Sequence, residues 1–197
     1  MTPPVAHRRS VSGGGSRCTY HAVVDAIDRT ERYLTACHEA GHAVAAVLRG
    51  GTFDCISIEP TVTRDGFIHT RGVKACDAEF VIFAGPWADA RADWPALTLD
   101  RVDGDGSTFD DYLTASMRAN ANDLRQYVPE RDIPFELLFT AGREVPQIPL
   151  ARDQSWYVEL ETCWPTIQLV ASMLMSGVAV TAEAVGTLLA DARSKSI

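Results

Sequence analysis

Two histidines four residues apart flank a glutamate in the string Cys37-His38-Glu39-Ala40-Gly41-His42-Ala43. On a helix, residues at that spacing share a face, about 6 Å apart along the axis. Two imidazoles so placed can grip one Zn²⁺ through bonds of about 2.0–2.1 Å. Glu39, beside the first histidine, can then reach a metal-bound water without occupying a coordination position. Zinc draws the pKa of that water toward about 7, and a carboxylate can take its proton during attack on a carbonyl and return it to a leaving amine. Leu34, Cys37, Gly41, Val44, Ala45 and Leu48 surround the string with an apolar stripe. Two core histidines without a ligand would be hard to satisfy there. Cys37 and His38 do not form a nucleophile pair, because adjacent helical side chains point about 100° apart.

The string needs a helix, and the sequence predicts one over 30–48, with Thr30 as N-cap and Gly50-Gly51 as its stop. Two short strands are expected at 53–59 and 66–71, joined by a turn around Thr63-Arg64-Asp65-Gly66. A second helix, capped by Asp77, is expected to reach Ala92, although Phe80-Val-Ile-Phe83 alone also fits a buried strand and Pro86 would bend a helix. A loop rich in Asp and Gly follows over 95–106, then a third helix over 107–128 with Leu113, Met117 and Leu124 on one face. Residues 129–149 read as irregular, and helices at 165–176 and 181–193 close the chain. The fold class is α+β, helix-dominated, a zinc-peptidase-like domain with a small β-hairpin beside the HExxH helix. Residues 1–17 are expected to form a flexible tail and 18–197 a single domain.

A net charge of −8 makes nucleic acid a poor partner and directs attention to protein or small-molecule substrates. Cys18, Cys37, Cys55, Cys76 and Cys163 are odd in number and form no CxxC pair, so neither a disulfide framework nor a cysteine zinc site is indicated. Thiols of this kind suit a reducing cytoplasm. The apolar stretch 167–180 is interrupted by Gln168, Ser172, Ser176 and Gly177, too short for the roughly 20 residues that cross a bilayer. A soluble protein with no membrane contact is therefore expected. His69 is read as a surface or packing residue, and His7 and His21 as inert.

His38-Glu-Ala-Gly-His-Ala43 resembles the peptidase domain of the FtsH-type ATP-dependent zinc metalloproteases, where HEAGHA is characteristic. The two strands are similar to that family's hairpin after the zinc helix. Phe83-Ala-Gly-Pro-Trp-Ala-Asp89 resembles its glycine-bearing second helix, with Asp89 where the family usually has Glu. Gly106-Ser-Thr-Phe-Asp-Asp-Tyr112 resembles the Gly-Ala-Ser-Asn-Asp-Leu stretch that supplies an aspartate as third zinc ligand. The chain departs from the family in carrying no GxxxxGK[ST] loop. It is therefore expected to act without an ATPase module or membrane anchor of its own.

The resemblance offers two neighbouring carboxylates as third ligand. Asp110 precedes Leu113 by three residues and Met117 by seven, so it shares the inward face, whereas Asp111 lines up with Thr114, Arg118 and Asn122. Asp110 is also the position that matches the family's aspartate. The expected centre is thus His38, His42 and Asp110 on Zn²⁺ with Glu39 as general base, cleaving unfolded or accessible protein segments, alone or with a separate ATPase. A catalytically silent metallopeptidase-like binding protein is the alternative, and intact Glu39 argues against it. A zinc hydrolase of non-peptide amides would use the same residues.

Overall fold

The computed structural model describes residues 17–60, 66–127 and 155–194, with side chains from residue 30 onward. The expected turn at 63–66 (Gly66 excepted), the segment 129–149 and the tail up to residue 16 lie outside them. The elements run α1 (Arg17–Leu48), β1 (Thr52–Ser57), β2 (Phe67–Arg71), α2 (Ala75–Asp93), α3 (Phe109–Ala119), α4 (Ala121–Tyr127), α5 (Ser155–Met175) and α6 (Ala182–Ser194). This is the helix-dominated α+β fold expected, with one two-stranded antiparallel sheet among the described residues. The contacts divide the chain into two units, Met1–Glu31 and Arg32–Ile197. The first contributes the opening turns of α1.

Helix α1 begins well before Thr30, which therefore lies within the helix and does not cap it. From Ala36 to Ala46 every position is buried, so this stretch is enclosed on all sides. Its small residues permit that closeness. A Cβ on Gly41 would overlap the Ala84 carbonyl oxygen of α2 and come within 2.8 Å of the Ala88 side chain. The helix stops as expected. Gly50 takes φ 75°, and Gly50 and Gly51 N–H donate to the Val47 and Ala46 carbonyls at 3.0 and 2.8 Å, satisfying the last turn. Arg49, just beyond, grips Glu159 of α5 at 2.6 Å through both terminal nitrogens and lies over the Phe80 ring of α2 at 3.8 Å.

Strands β1 and β2 pair with Thr52 opposite Arg71 and Ser57 opposite Phe67, and a register shift falls between Phe53 and Ile56. Helix α2 is continuous through Phe80–Phe83, which settles the helix against the strand. Its N-cap is Lys74, and Asp77 lies in the first turn. Pro86, unable to donate to Ile82, sits inside it. The expected third helix is instead two, α3 and α4, separated by Asn120 at φ −97°, ψ 66°. Helix α5 starts ten residues before Pro165, because Trp156, Leu160, Cys163 and Trp164 extend its packed face upstream. No described helix is long and apolar enough to cross a membrane.

Candidate metal centre

Helix α1 presents His38 and His42 from consecutive turns of its buried stretch, and their Nε2 atoms lie 3.1 Å apart. Asp123, from the first turn of α4, brings Oδ2 to 2.9 Å from His38 Nε2 and 3.5 Å from His42 Nε2. Among the described residues, His38, His42 and Asp123 are the group whose donor atoms converge tightly enough to hold a metal ion. Each histidine is less than a tenth exposed. Two imidazole nitrogens and a carboxylate oxygen are a donor set suited to zinc.

The surroundings fix which nitrogen faces the centre. His42 Nδ1 lies 2.7 Å from the Val81 carbonyl, which can only accept. The proton therefore sits on Nδ1, and the Nε2 lone pair of neutral His42 points at His38 and Asp123. Gly85, one turn after Val81 on α2, makes room for this ring: a Cβ there would overlap His42 Nε2. Two imidazole nitrogens and a carboxylate thus crowd one point with few protons to share among them, an arrangement a cation relieves. In the metal-free protein a proton takes that role. Burial works against charge on His42, but the Asp123 hydrogen bond and charge, with the Glu39 charge, outweigh it and raise the imidazole to about 9. Burial likewise opposes ionisation of Asp123, yet the hydrogen bonds from His38 and His42 hold its carboxyl below the usual range.

Glu39, between the two histidines in sequence, is 6 % exposed, and its charge acts on His42. Gly66, at the entry to β2, backs directly onto it: a Cβ there would stand 2.8 Å from Glu39 Oε1. Glu39 and the entry to the hairpin are therefore in contact. Cys37 is buried, and burial pushes its thiol up to about 11, which leaves it an unreactive thiol.

The structure does not bring Asp110 to this cluster. Its exposed carboxylate accepts from the Tyr157 hydroxyl at 3.0 Å. Asp111 closes a capping box: its Oδ2 accepts from Thr108 N–H at 2.8 Å, and its own N–H donates to Thr108 Oγ at 3.3 Å. The carboxylate beside the histidines is Asp123, which the reading of 107–128 as one helix turned away. A signal for it was present. Asn122-Asp123-Leu124 reproduces the end of the Gly-Ala-Ser-Asn-Asp-Leu stretch, whereas Gly106–Tyr112 shares its opening glycine and the aspartate at Asp110 but not the Asn-Asp-Leu run.

Fold and site together define the class: a helix-borne histidine pair with an adjacent glutamate, completed by a carboxylate from a later helix. Residues 21–90 match the model of the Peptidase M50B-like family, a span holding His38, Glu39, His42 and Gly85 and ending before Asp123. The cluster and the match support a metallopeptidase domain. Neither the curated proteins nor the solved structures gave a match.

Proposed function

We propose that this chain is a zinc-dependent endopeptidase acting on unfolded or accessible protein segments, with His38, His42 and Asp123 as ligands and Glu39 as general base. The observation that carries the reading is the convergence of two Nε2 atoms and Asp123 Oδ2 beside Glu39. Three protein ligands are the number found where one position is left for water or substrate. Zinc, when bound, supplies Lewis acidity that acidifies water and polarises a carbonyl. The chain's own groups do the rest. Val81 holds His42 in the ligating tautomer. The Glu39 carboxylate takes the proton of the attacking water and passes it to the departing amine.

Substrate binding follows from the contact between Gly66 and Glu39. Strand β2 leads away from the base, and in the two-stranded sheet it pairs on one side with β1. No other described strand pairs with its second edge, which would offer backbone groups to an extended peptide passing beside Glu39. Among metallopeptidases we favour an FtsH-type arrangement. HEAGHA, a hairpin, a glycine-bearing helix and Asn-Asp-Leu follow one another here in that family's order. These 197 residues hold no GxxxxGK[ST] loop, so force to unfold a substrate would come from an ATPase module outside them, in a reducing cytoplasm.

Glu39→Gln keeps the shape of the base and removes its basicity. In zinc-loaded protein it should retain the metal while casein hydrolysis falls by about 10²-fold or more. Hydrolysis at the wild-type rate would exclude Glu39 as the base. A zinc-loaded wild type that cleaves neither casein nor peptides would favour the silent binding protein.

A further inference from the structure

The direction in which Asp123 points is set three residues upstream, at the junction between α3 and α4. Asn120 alone separates the two helices. Its N–H donates to the Ser116 carbonyl at 3.0 Å, closing α3, and its carbonyl accepts from Leu124 N–H at 3.1 Å, opening α4. Had the helix continued, Asp123 would have lain thirteen residues beyond Asp110, about 220° further round the axis. The break resets that angle. The junction is in turn fastened to α2. Asp89 Oδ2 accepts from Ser116 Oγ at 2.8 Å and from Asn120 Nδ2 at 3.4 Å. Asp89 lies four residues after Gly85 and eight after Val81, on the side of α2 that meets the site. One helix therefore orients a histidine through Val81 and holds the junction that aims the carboxylate.

We propose that Asp89 is a positioning residue for Asp123: by tying Ser116 and Asn120 to α2, it fixes the α3–α4 break at the angle that delivers the carboxylate to His38 and His42. The proposal rests on the reading of this cluster as a metal centre. Asp89 acts through Asp123 and does not itself touch the ligand nitrogens. It is half-buried in the wall of an open cleft, so truncating it removes the fastening without emptying the core.

The test is zinc affinity of the full chain, measured by chelator competition, together with thermal unfolding of the metal-free protein. The proteins are wild type, Asp89→Ala, Asp89→Asn, Asp123→Ala and the Asp89→Ala/Asp123→Ala double variant. Loss of a group that orients a ligand weakens metal binding by about 10–100-fold, and Asp89→Ala should fall in that range. Asp89→Asn keeps an acceptor oxygen for Ser116 and should bind close to wild type. The double variant should bind no more weakly than Asp123→Ala, because an aimed ligand that is already gone cannot be lost again. Should Asp89→Ala prove too unstable to purify, Ser116→Ala removes the shorter of the two bonds and should show a smaller loss that likewise vanishes without Asp123. Wild-type affinity in Asp89→Ala would overturn the proposal. So would a double variant in which the two losses multiply, since that is the behaviour of general support for the fold. Unchanged zinc binding in Asp123→Ala would instead overturn the metal-centre reading itself, and the positioning role with it.

Discussion

His42 is charged at neutral pH when no metal is bound, because the Asp123 and Glu39 carboxylates raise it to about 9 from an ordinary 6.5. A raised folded-state pKa means that its contribution to stability is complete below about 6.5 and is lost as pH climbs through 9. The lowered Asp123 carboxyl expresses the same contact from the acidic side, present above its ordinary 3.8 and lost well below it, so the two are not summed. Urea unfolding of metal-free protein should accordingly show less stability at pH 9 than at pH 6, and His42→Ala should flatten that slope. An identical slope in the variant would remove His42 as its source. Zinc must displace this proton, so affinity should rise with pH up to the same limit. At this scale His38, Glu39 and His42 were legible in the sequence, since their spacing alone puts the two imidazoles on one face. Asp123 was marked only by the Asn-Asp-Leu string and not by periodicity, because its direction depends on one non-helical residue, Asn120, that an apolar pattern of period 3.6 passes over.

Helix α2 does more for the site than its sequence advertises. It is buried on nearly every side, so it has no polar face to betray its orientation. What it provides is close approach. Ala84 and Ala88 accept Gly41 of α1, the Val81 carbonyl accepts His42, and Gly85 leaves room for that imidazole. Gly85→Ala should displace the His42 ring and lower stability by about 1–3 kcal/mol, the usual cost of overpacking a filled core. It should weaken zinc binding as well, read by chelator competition. A variant with wild-type affinity and stability would show that the ring can move aside without consequence. The other elements were legible where a local device marks them. Gly50 ends α1 and Gly177 ends α5 with positive φ, as their positions after an apolar run foretell. Helix starts were less so. Thr30 and Pro165 look like caps or first-turn residues, but α1 already runs from Arg17 and packed apolar residues upstream of Pro165 carry α5 past it.

For the chain as a whole, the centre joins segments far apart in sequence, His38 and Asp123 being separated by 85 positions. The unfolded chain cannot hold the three donors together, so metal binding and folding are coupled, and a chelator should lower the melting temperature. The α+β class and the hairpin beside the HExxH helix followed from residues 30–90, where spacing, glycines and β-branched runs agree. The return of the chain to the site did not, because it depends on how α3 and α4 dock on α2. The most direct test is the zinc content of purified, extensively dialysed protein. About one zinc per chain is expected in wild type and in Asp110→Asn, with a large loss in His38→Ala, His42→Ala and Asp123→Ala. Equal zinc in all five proteins, or a loss in Asp110→Asn with none in Asp123→Ala, would contradict the account.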